Sequence, residues 1–277
     1  MKSLNEVLGN VTSTDALKED EYKNEADGLI YCAKCHTPRQ HRIEVMGKMA
    51  LPFIMCQCQR EAYDREQAAQ AQRDFLDRVS RMKSSGLQDQ ALYDYQFAND
   101  LGYNPEIRYA RTYVERWADM KAGNTGLLLW GDVGTGKSFF AGCIANALLE
   151  QCVPVLMTNF AKLLNALSGM YTDDRNAYID SLNRYSLLII DDLGVERSST
   201  FAQEQVFHVI DSRYRSGKPL IVTTNLTLDE LKHTEDTAKR RIYDRILERC
   251  VPIRINNLNI RQKNAQEQLQ RARVLFS

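Results

Sequence analysis

No stretch of this chain approaches the ~20 consecutive apolar residues that cross a bilayer, so no segment reads as a membrane-spanning helix. The opening MKSLNEVLGNVTSTDALKEDE also lacks the apolar centre of a signal peptide, and the resulting expectation is a cytoplasmic protein without membrane contact. Net charge is missing too. Lys and Arg number 36 and so do Asp and Glu, so no global field advertises nucleic acid, and any DNA contact must come from local patches. Such patches exist: acidic residues crowd the N-terminal stretch, and Lys239, Arg240, Arg241, Arg245 and Arg249 crowd a late helical one. The 277 residues suffice for one full α/β domain plus a smaller module.

Cysteine is present in two different patterns. Cys143, Cys152 and Cys250 are scattered and read as small packed hydrophobes. Cys32, Cys35, Cys56 and Cys58 form C-x2-C and C-x-C pairs on either side of an alternating stretch containing Ile43, Val45 and Met49. In a reducing compartment such a cluster points to metal rather than disulfides, and two turn-borne pairs can present four thiolates to one Zn²⁺. His36 and His41 are substitutes should one cysteine not ligate, and free or redox thiols are the other reading. Four thiolates leave no open position, which argues against a catalytic zinc. So short a module could hardly fold on its own core. Ahead of it, Leu4, Val7, Leu8 and Val11 show weak helical periodicity, which fits a short docking helix or a frayed terminus.

The centre of the chain is LLLWGDVGTGKS, Leu127 to Ser138. An apolar strand runs into Gly131, Asp132, Val133, Gly134, Thr135, Gly136, Lys137, Ser138 and Phe139, and a helix with Phe140, Ile144, Ala147 and Leu148 on one face follows. This is G-x4-G-K-[ST] in the strand-loop-helix setting the motif requires. Glycines let backbone N–H groups turn inward, and a polyphosphate can then be held at a helix N-terminus. Lys137 would reach the β- and γ-phosphates of ATP, and Ser138 would ligate Mg²⁺.

Around that loop the chain alternates strands and helices. From Glu61 to about Lys83 an exposed helix free of Gly and Pro is predicted, broken by Ser84-Ser85-Gly86. The expected division is a zinc module over 1–60, a helical linker over 61–86 and a nucleotide domain over 87–277. Leu87, Leu92, Tyr93 and Phe97 fit either core packing or an adenine wall, core packing being favoured. Asn104-Pro105 opens a helix with the stripe Ile107, Ala110, Val114 and Trp117, ended by Gly123. Strands are predicted at 154–158, 186–192 and 220–225, with helices through Leu163 to Leu167, from Asp173 to Arg184, and through Phe207, Ile210 and Tyr214. The expected fold is α/β: a parallel sheet between helices, with its site at the carboxyl ends of the strands.

At those ends stand the polar residues that phosphoryl transfer needs. Asp191, closing the LLII run, is placed to hold the metal opposite Ser138. Asp192 follows and could polarise the attacking water, its short reach predicting slow hydrolysis. Asn225 could bond the γ-phosphate or that water. Arg241, Arg245 and Arg249 recur at helical spacing, with Arg245 the choice for an arginine supplied across a subunit interface. Arg261, at the start of the last helix, could reach the nucleotide of its own subunit.

The set GDVGTGKS, LLIIDDLG, IVTTN and RIYDRILERC resembles the bacterial replicative helicase loaders of the DnaC/DnaI type, AAA+ ATPases related to the transposition helper ATPases of the IstB type. The likeness covers about residues 85 to 265. The cysteine cluster resembles the zinc-binding, helicase-contacting module of the DnaI-like branch. The resemblance implies an AAA+ fold and an ATP-, Mg²⁺- and Zn²⁺-binding subunit that self-associates through its ATP interface. It also implies a hexameric replicative helicase as partner and single-stranded DNA as the polymer the helicase is placed on, with Arg245 as the finger and Arg261 as a second sensor. An IstB-type ATPase assisting a transposase is the alternative.

Overall fold

The computed structural model describes residues 17–194, 199–256 and 260–276. The expected helical periodicity over Leu4 to Val11 lies outside the described residues. The chain divides into two compact units, Met1–Leu76 and Asp77–Ser277.

In the first unit β1 (Glu21–Lys23) pairs antiparallel with β2 (Ile30–Cys32), and β3 (Ile43–Val45) pairs antiparallel with β4 (Lys48–Ala50). The second pair is the hairpin anticipated from the alternating stretch. It turns through Met46 and Gly47, both in the left-handed region with φ 52° and 75°. Helix α1 (Gln57–Gly86) starts at the C-x-C and runs past the boundary between the units.

The helix ends at Gly86, where the break at Ser84-Ser85-Gly86 was expected, but these residues form the last turn of α1 and not a loop after it. Both serine hydroxyls donate back to the carbonyls of Arg81 and Met82, so they are spent inside the helix instead of capping a new element. Gly86 is present for closeness, since a Cβ there would lie 2.2 Å from the Val155 carbonyl oxygen.

The second unit is a five-stranded sheet, ordered β6-β7-β8-β5-β9, with helices on both faces. Its strands are β5 (Gly126–Trp130), β6 (Val155–Asn159), β7 (Leu187–Leu193), β8 (Leu220–Thr224) and β9 (Cys250–Arg254), and every pairing is parallel. Four of the five follow the apolar runs read from the sequence. Strand β9 was not anticipated: it is an edge strand with Val251 exposed and Pro252 inside it, so it carries no continuous apolar run. Successive residues of β5 alternate between the two cores. Leu127 and Leu129 join one, packed beneath the helix α4 (Lys137–Glu150), and Leu128 joins the other, beneath α7 (Thr200–Arg215) and α9 (Thr237–Arg249).

The helix expected from Asn104 to Gly123 forms as two pieces, α2 (Ile107–Glu115) and α3 (Trp117–Ala122), parted at Arg116. The expected cap is displaced: the helix begins at Ile107 after Glu106, without a side-chain cap. Asn104 Oδ1 accepts from the Glu106 N–H in a turn that precedes it, with Pro105 in that turn and not at the first helical position. Helices α5 (Phe160–Ser168) and α6 (Thr172–Ser181) complete the segment between β6 and β7, and the short α8 (Leu228–Lys232) stands between β8 and α9. Leu87 and Leu92 are buried and Tyr93 and Phe97 pack against the core, as the favoured of the two readings required.

Candidate functional site

The loop between β5 and α4 is shaped by glycines at positive φ: Gly131 at 142°, Gly134 at 81° and Gly136, which begins the helix, at 97°. No acidic residue occupies the first turn of α4, so its positive end is not neutralised locally. Behind the loop the buried Thr135 hydroxyl donates to the Asp132 carbonyl at 2.8 Å. The buried Lys137 ammonium donates to the carbonyls of Gly131 (2.9 Å) and Asp132 (2.7 Å), so the loop carries its cation ready-placed.

A crevice of about 300 Å³ opens over this loop, within the range that admits a nucleotide. Val133, Gly134, Gly136, Lys137, Ser138 and Phe139 line one wall, and Asp192 and Asn225 line the strand side. Parallel register brings those groups together, with Trp130 level with Thr224 on the adjoining strand. Ser138 Oγ donates to Asp191 Oδ1 at 3.0 Å, joining two residues 53 positions apart that the sequence paired on chemical grounds. Burial pushes the Asp191 carboxyl above the usual carboxylate range, against the opposing pull of hydrogen bonds from Thr223 and Ser138, and the charge of Asp192 pushes it further up. A buried carboxylate and a hydroxyl side by side are hard oxygen donors that suit Mg²⁺.

The remaining wall comes from Asn104, read from the sequence as a helix start, and from Tyr95, Asn99, Asp100, Leu101 and Tyr103, which the sequence reading did not single out. Tyr95 meets Phe139 edge-on, with ring centroids 5.6 Å apart. Asn146, buried in α4, donates to the carbonyls of Leu92 (2.8 Å) and Tyr95 (3.0 Å), and so fixes this wall to the phosphate-loop helix. The available signal was a lone amide inside the apolar run of α4, since a buried amide requires partners.

Arg245 is not part of the crevice wall. Its guanidinium bonds Asp211 on α7 through Nε (2.8 Å) and Nη2 (2.7 Å) and lies over the Phe207 ring at 4.8 Å. Arg241 stacks on the same ring and Arg249 on Tyr214. The three arginines do share one face of α9, and that face rests on α7. Arg261 falls at the start of α10 (Ile260–Phe276), and its side chain lies outside the described residues.

In the first unit the sulfurs of Cys32, Cys35, Cys56 and Cys58 all lie within 4.8 Å of one another, and neither His36 nor His41 belongs to the group. The Thr37 hydroxyl and nearby backbone bring Cys35 down to about 5, while Cys56 and the other two sulfurs push Cys58 up to about 12. Four thiolates this close together would repel one another, and a soft divalent cation would remove that repulsion. The donor set fits a closed tetrahedral zinc site.

The profile of the IstB-like ATP binding protein family matches residues 57–268, more than half of the chain. The replicative helicase loader DnaI of Bacillus subtilis (strain 168) is 29% identical over 150 residues, 49% of this chain and 47% of that protein. The replicative helicase loader DnaC of Escherichia coli (strain K12) is 29% identical over 126 residues, 44% of this chain and 50% of that one. The chain spans about half the length of these curated relatives. Among solved structures, DnaI superposes with a TM-score of 0.53 at 24% identity, covering 65% of this chain and 98% of that one. The DnaC helicase loader gives 0.52 at 20%, covering 61% and 100%. The fold is accordingly that of the AAA+ P-loop ATPases.

Proposed function

The chain belongs to the IstB-like ATP binding protein family, and from that premise we propose that it is an ATPase that loads a hexameric replicative DNA helicase onto single-stranded DNA during replication initiation. The observation that carries the nucleotide chemistry is the Ser138–Asp191 contact of 3.0 Å beside a glycine-turned loop and its lysine. ATP would take its phosphate contacts from the loop amides and from Lys137, whose ammonium exchanges loop carbonyls for phosphate oxygens. Ser138 and Asp191 would hold Mg²⁺, which when bound neutralises phosphate charge and polarises the reacting phosphorus. Asp192 orients the attacking water, and Asn225 bonds the γ-phosphate or that water.

Arg245 would be supplied to the nucleotide of a neighbouring subunit, where negative charge builds in phosphoryl transfer. Its pairing with Asp211 and its stacking on Phe207 restrict a long side chain that would otherwise lose entropy on ordering. Arg261 would reach the nucleotide of its own subunit. An ATP site shared between subunits makes self-association depend on nucleotide. The four thiolates would hold Zn²⁺ as a structural element of the helicase-contacting module, and basic residues would follow the DNA backbone with marked salt dependence.

A second reading, an ATPase assisting a transposase on DNA, has the family profile in its favour. The thiolate cluster ahead of the nucleotide domain and the helicase-loader names of the relatives favour the first. Mass measurement of the chain mixed with the resident hexameric helicase, ATP and single-stranded DNA separates them. An ATP-dependent complex that is lost when Cys32 and Cys35 become Ser is expected. No helicase complex, together with ATP-dependent polymerisation on duplex DNA, would establish the second reading instead.

A further inference from the structure

The two carboxylates at the end of β7 sit on a bulge. Ile190 pairs with Val222 and Leu193 with Thr224, so Asp191 and Asp192 together stand opposite the single residue Thr223 of β8. Asp192 adopts φ 60°, a left-handed conformation that Asp tolerates better than Glu or any branched side chain. This supplies a backbone reason for the aspartate whose short reach the sequence brought out. A residue held there persists only when its surroundings impose the conformation.

Thr223 imposes it. Its side chain is fully buried, its hydroxyl donates to Asp191 Oδ1 at 2.5 Å, and the same oxygen accepts the Asp192 N–H at 2.9 Å. A hydroxyl has one proton to give and two lone pairs, so one threonine serves both bonds together. Ser138 donates to the same Oδ1, and two donors on that oxygen restrain the carboxylate. One residue further on, Thr224 closes the far end of the bulge by donating to the Leu193 carbonyl at 2.8 Å and accepting from the Leu226 N–H at 3.1 Å. Asn225, on the strand-side wall of the crevice, stands between Thr224 and Leu226, whose N–H bonds the Thr224 hydroxyl.

We infer that Thr223 is a positioning residue whose hydroxyl sets the direction of the Asp191 carboxylate and the backbone of Asp192, tying both to the strand that leads into Asn225. The inference rests on the ATPase reading above and extends it. A shift in β8 as Asn225 meets phosphate would be passed through one hydroxyl to the groups that hold the metal and the water. Thr223→Val keeps the shape, removes the proton offered to Asp191 and orphans the Asp192 N–H. Thr223→Ser keeps the hydroxyl and drops only a methyl.

The test compares the full-length wild type, Thr223→Val and Thr223→Ser in steady-state ATP turnover, in binding of a fluorescent ATP analogue across a Mg²⁺ titration, and in thermal melting without nucleotide. For Thr223→Val, kcat should fall on the order of 10- to 100-fold, the scale of a misplaced reacting group, with KM for ATP held within about threefold. More Mg²⁺ should be needed for half-maximal analogue binding. Thr223→Ser should recover most of both. Unchanged kcat and Mg²⁺ dependence in Thr223→Val, or equal losses in the Val and Ser variants, would overturn the role. Should Thr223→Val fail to fold, Thr223→Ser decides alone: near wild-type turnover supports the hydroxyl and a large loss refutes it. A wild type that neither binds nor turns over ATP would instead refute the ATPase reading, and so is told apart from failure of this inference.

Discussion

Among the described residues before Asp77, the buried side chains are Cys32, Arg39 and Cys56, whereas the unit that follows closes two apolar clusters over the two faces of its sheet. In the first unit Ile43, Val45, Met49 and Phe53, the apolar residues a hairpin would normally bury, are all exposed. In the second, Leu128, Leu129, Ile189 and Ile190 have no accessible surface at all. The second unit therefore draws its stability from transfer of apolar area out of water, and the first has almost none to transfer. What it has is a ring of sulfurs and a buried guanidinium. Arg39 bonds Asp20 and Glu21 at 2.6 Å each and approaches Cys32 Sγ at 3.9 Å, next to the charge that four thiolates would carry. On the zinc reading proposed above, the two units would be held in two different ways, one by its core and the other by its ligand.

Metal removal should break the comparison most sharply. Structural zinc supplies about 10–16 kcal/mol of folding energy in small zinc modules at neutral pH, more than a unit lacking a core can lose. Treatment with a strong chelator should abolish hydrogen-exchange protection in residues 20–56 while leaving ATP-analogue affinity within about twofold. Retained protection after verified metal loss would show that the first unit has another source of stability. Loss of the second unit's protection at the same step would show that the two are not independently held.

A smaller effect, of opposite sign in the two units, comes from carboxylates. Hydrogen bonds from Arg39 hold Asp20 and Glu21 below their usual range, so the stability they contribute is present above the unfolded values near 4 and is lost as pH falls through the folded ones. Asp191 is raised by burial, so its ionisation opposes folding: stability is greater below the unfolded value of 3.8 and declines as pH rises through the folded one. Asp191→Asn should therefore raise the nucleotide-free melting temperature of the second unit at pH 7. A change of about 1 kcal/mol is worth roughly 2–4 °C in a domain of this size. The same variant should lose Mg²⁺-dependent turnover, and its stability advantage should shrink toward pH 4. A lower melting temperature at pH 7 would mean that the Ser138 and Thr223 hydrogen bonds outweigh the burial of charge.

What could be read from the sequence divides along the same line. Four strands, the phosphate loop and the Ser138–Asp191 partnership were legible because unbroken apolar runs and a spaced glycine motif are local signals. The four cysteines were legible because their spacing is itself the signal. Strand β9 was hidden by Pro252 and its exposed faces, and the last turn of α1 by serines that here bond back into their own helix. The aromatic wall at Tyr95 and Tyr103 depends on the tertiary hold of Asn146, whose lone buried amide signals a need for partners but not which partners. The same is true of the hydroxyl of Thr223 and of the ion pair between Arg245 and Asp211, each made across more than thirty residues of chain.

The central claim is that a triphosphate is held between the loop at 131–138 and the acidic pair at 191–192. Calorimetric titration of MgATP into the wild type and into Lys137→Ala tests it most directly. Saturable binding by the wild type is expected, with a loss of at least about 30-fold in the variant, the lower end of the 2–5 kcal/mol cost of deleting one member of a buried charge pair. Equal affinities, with both proteins folded, would contradict it.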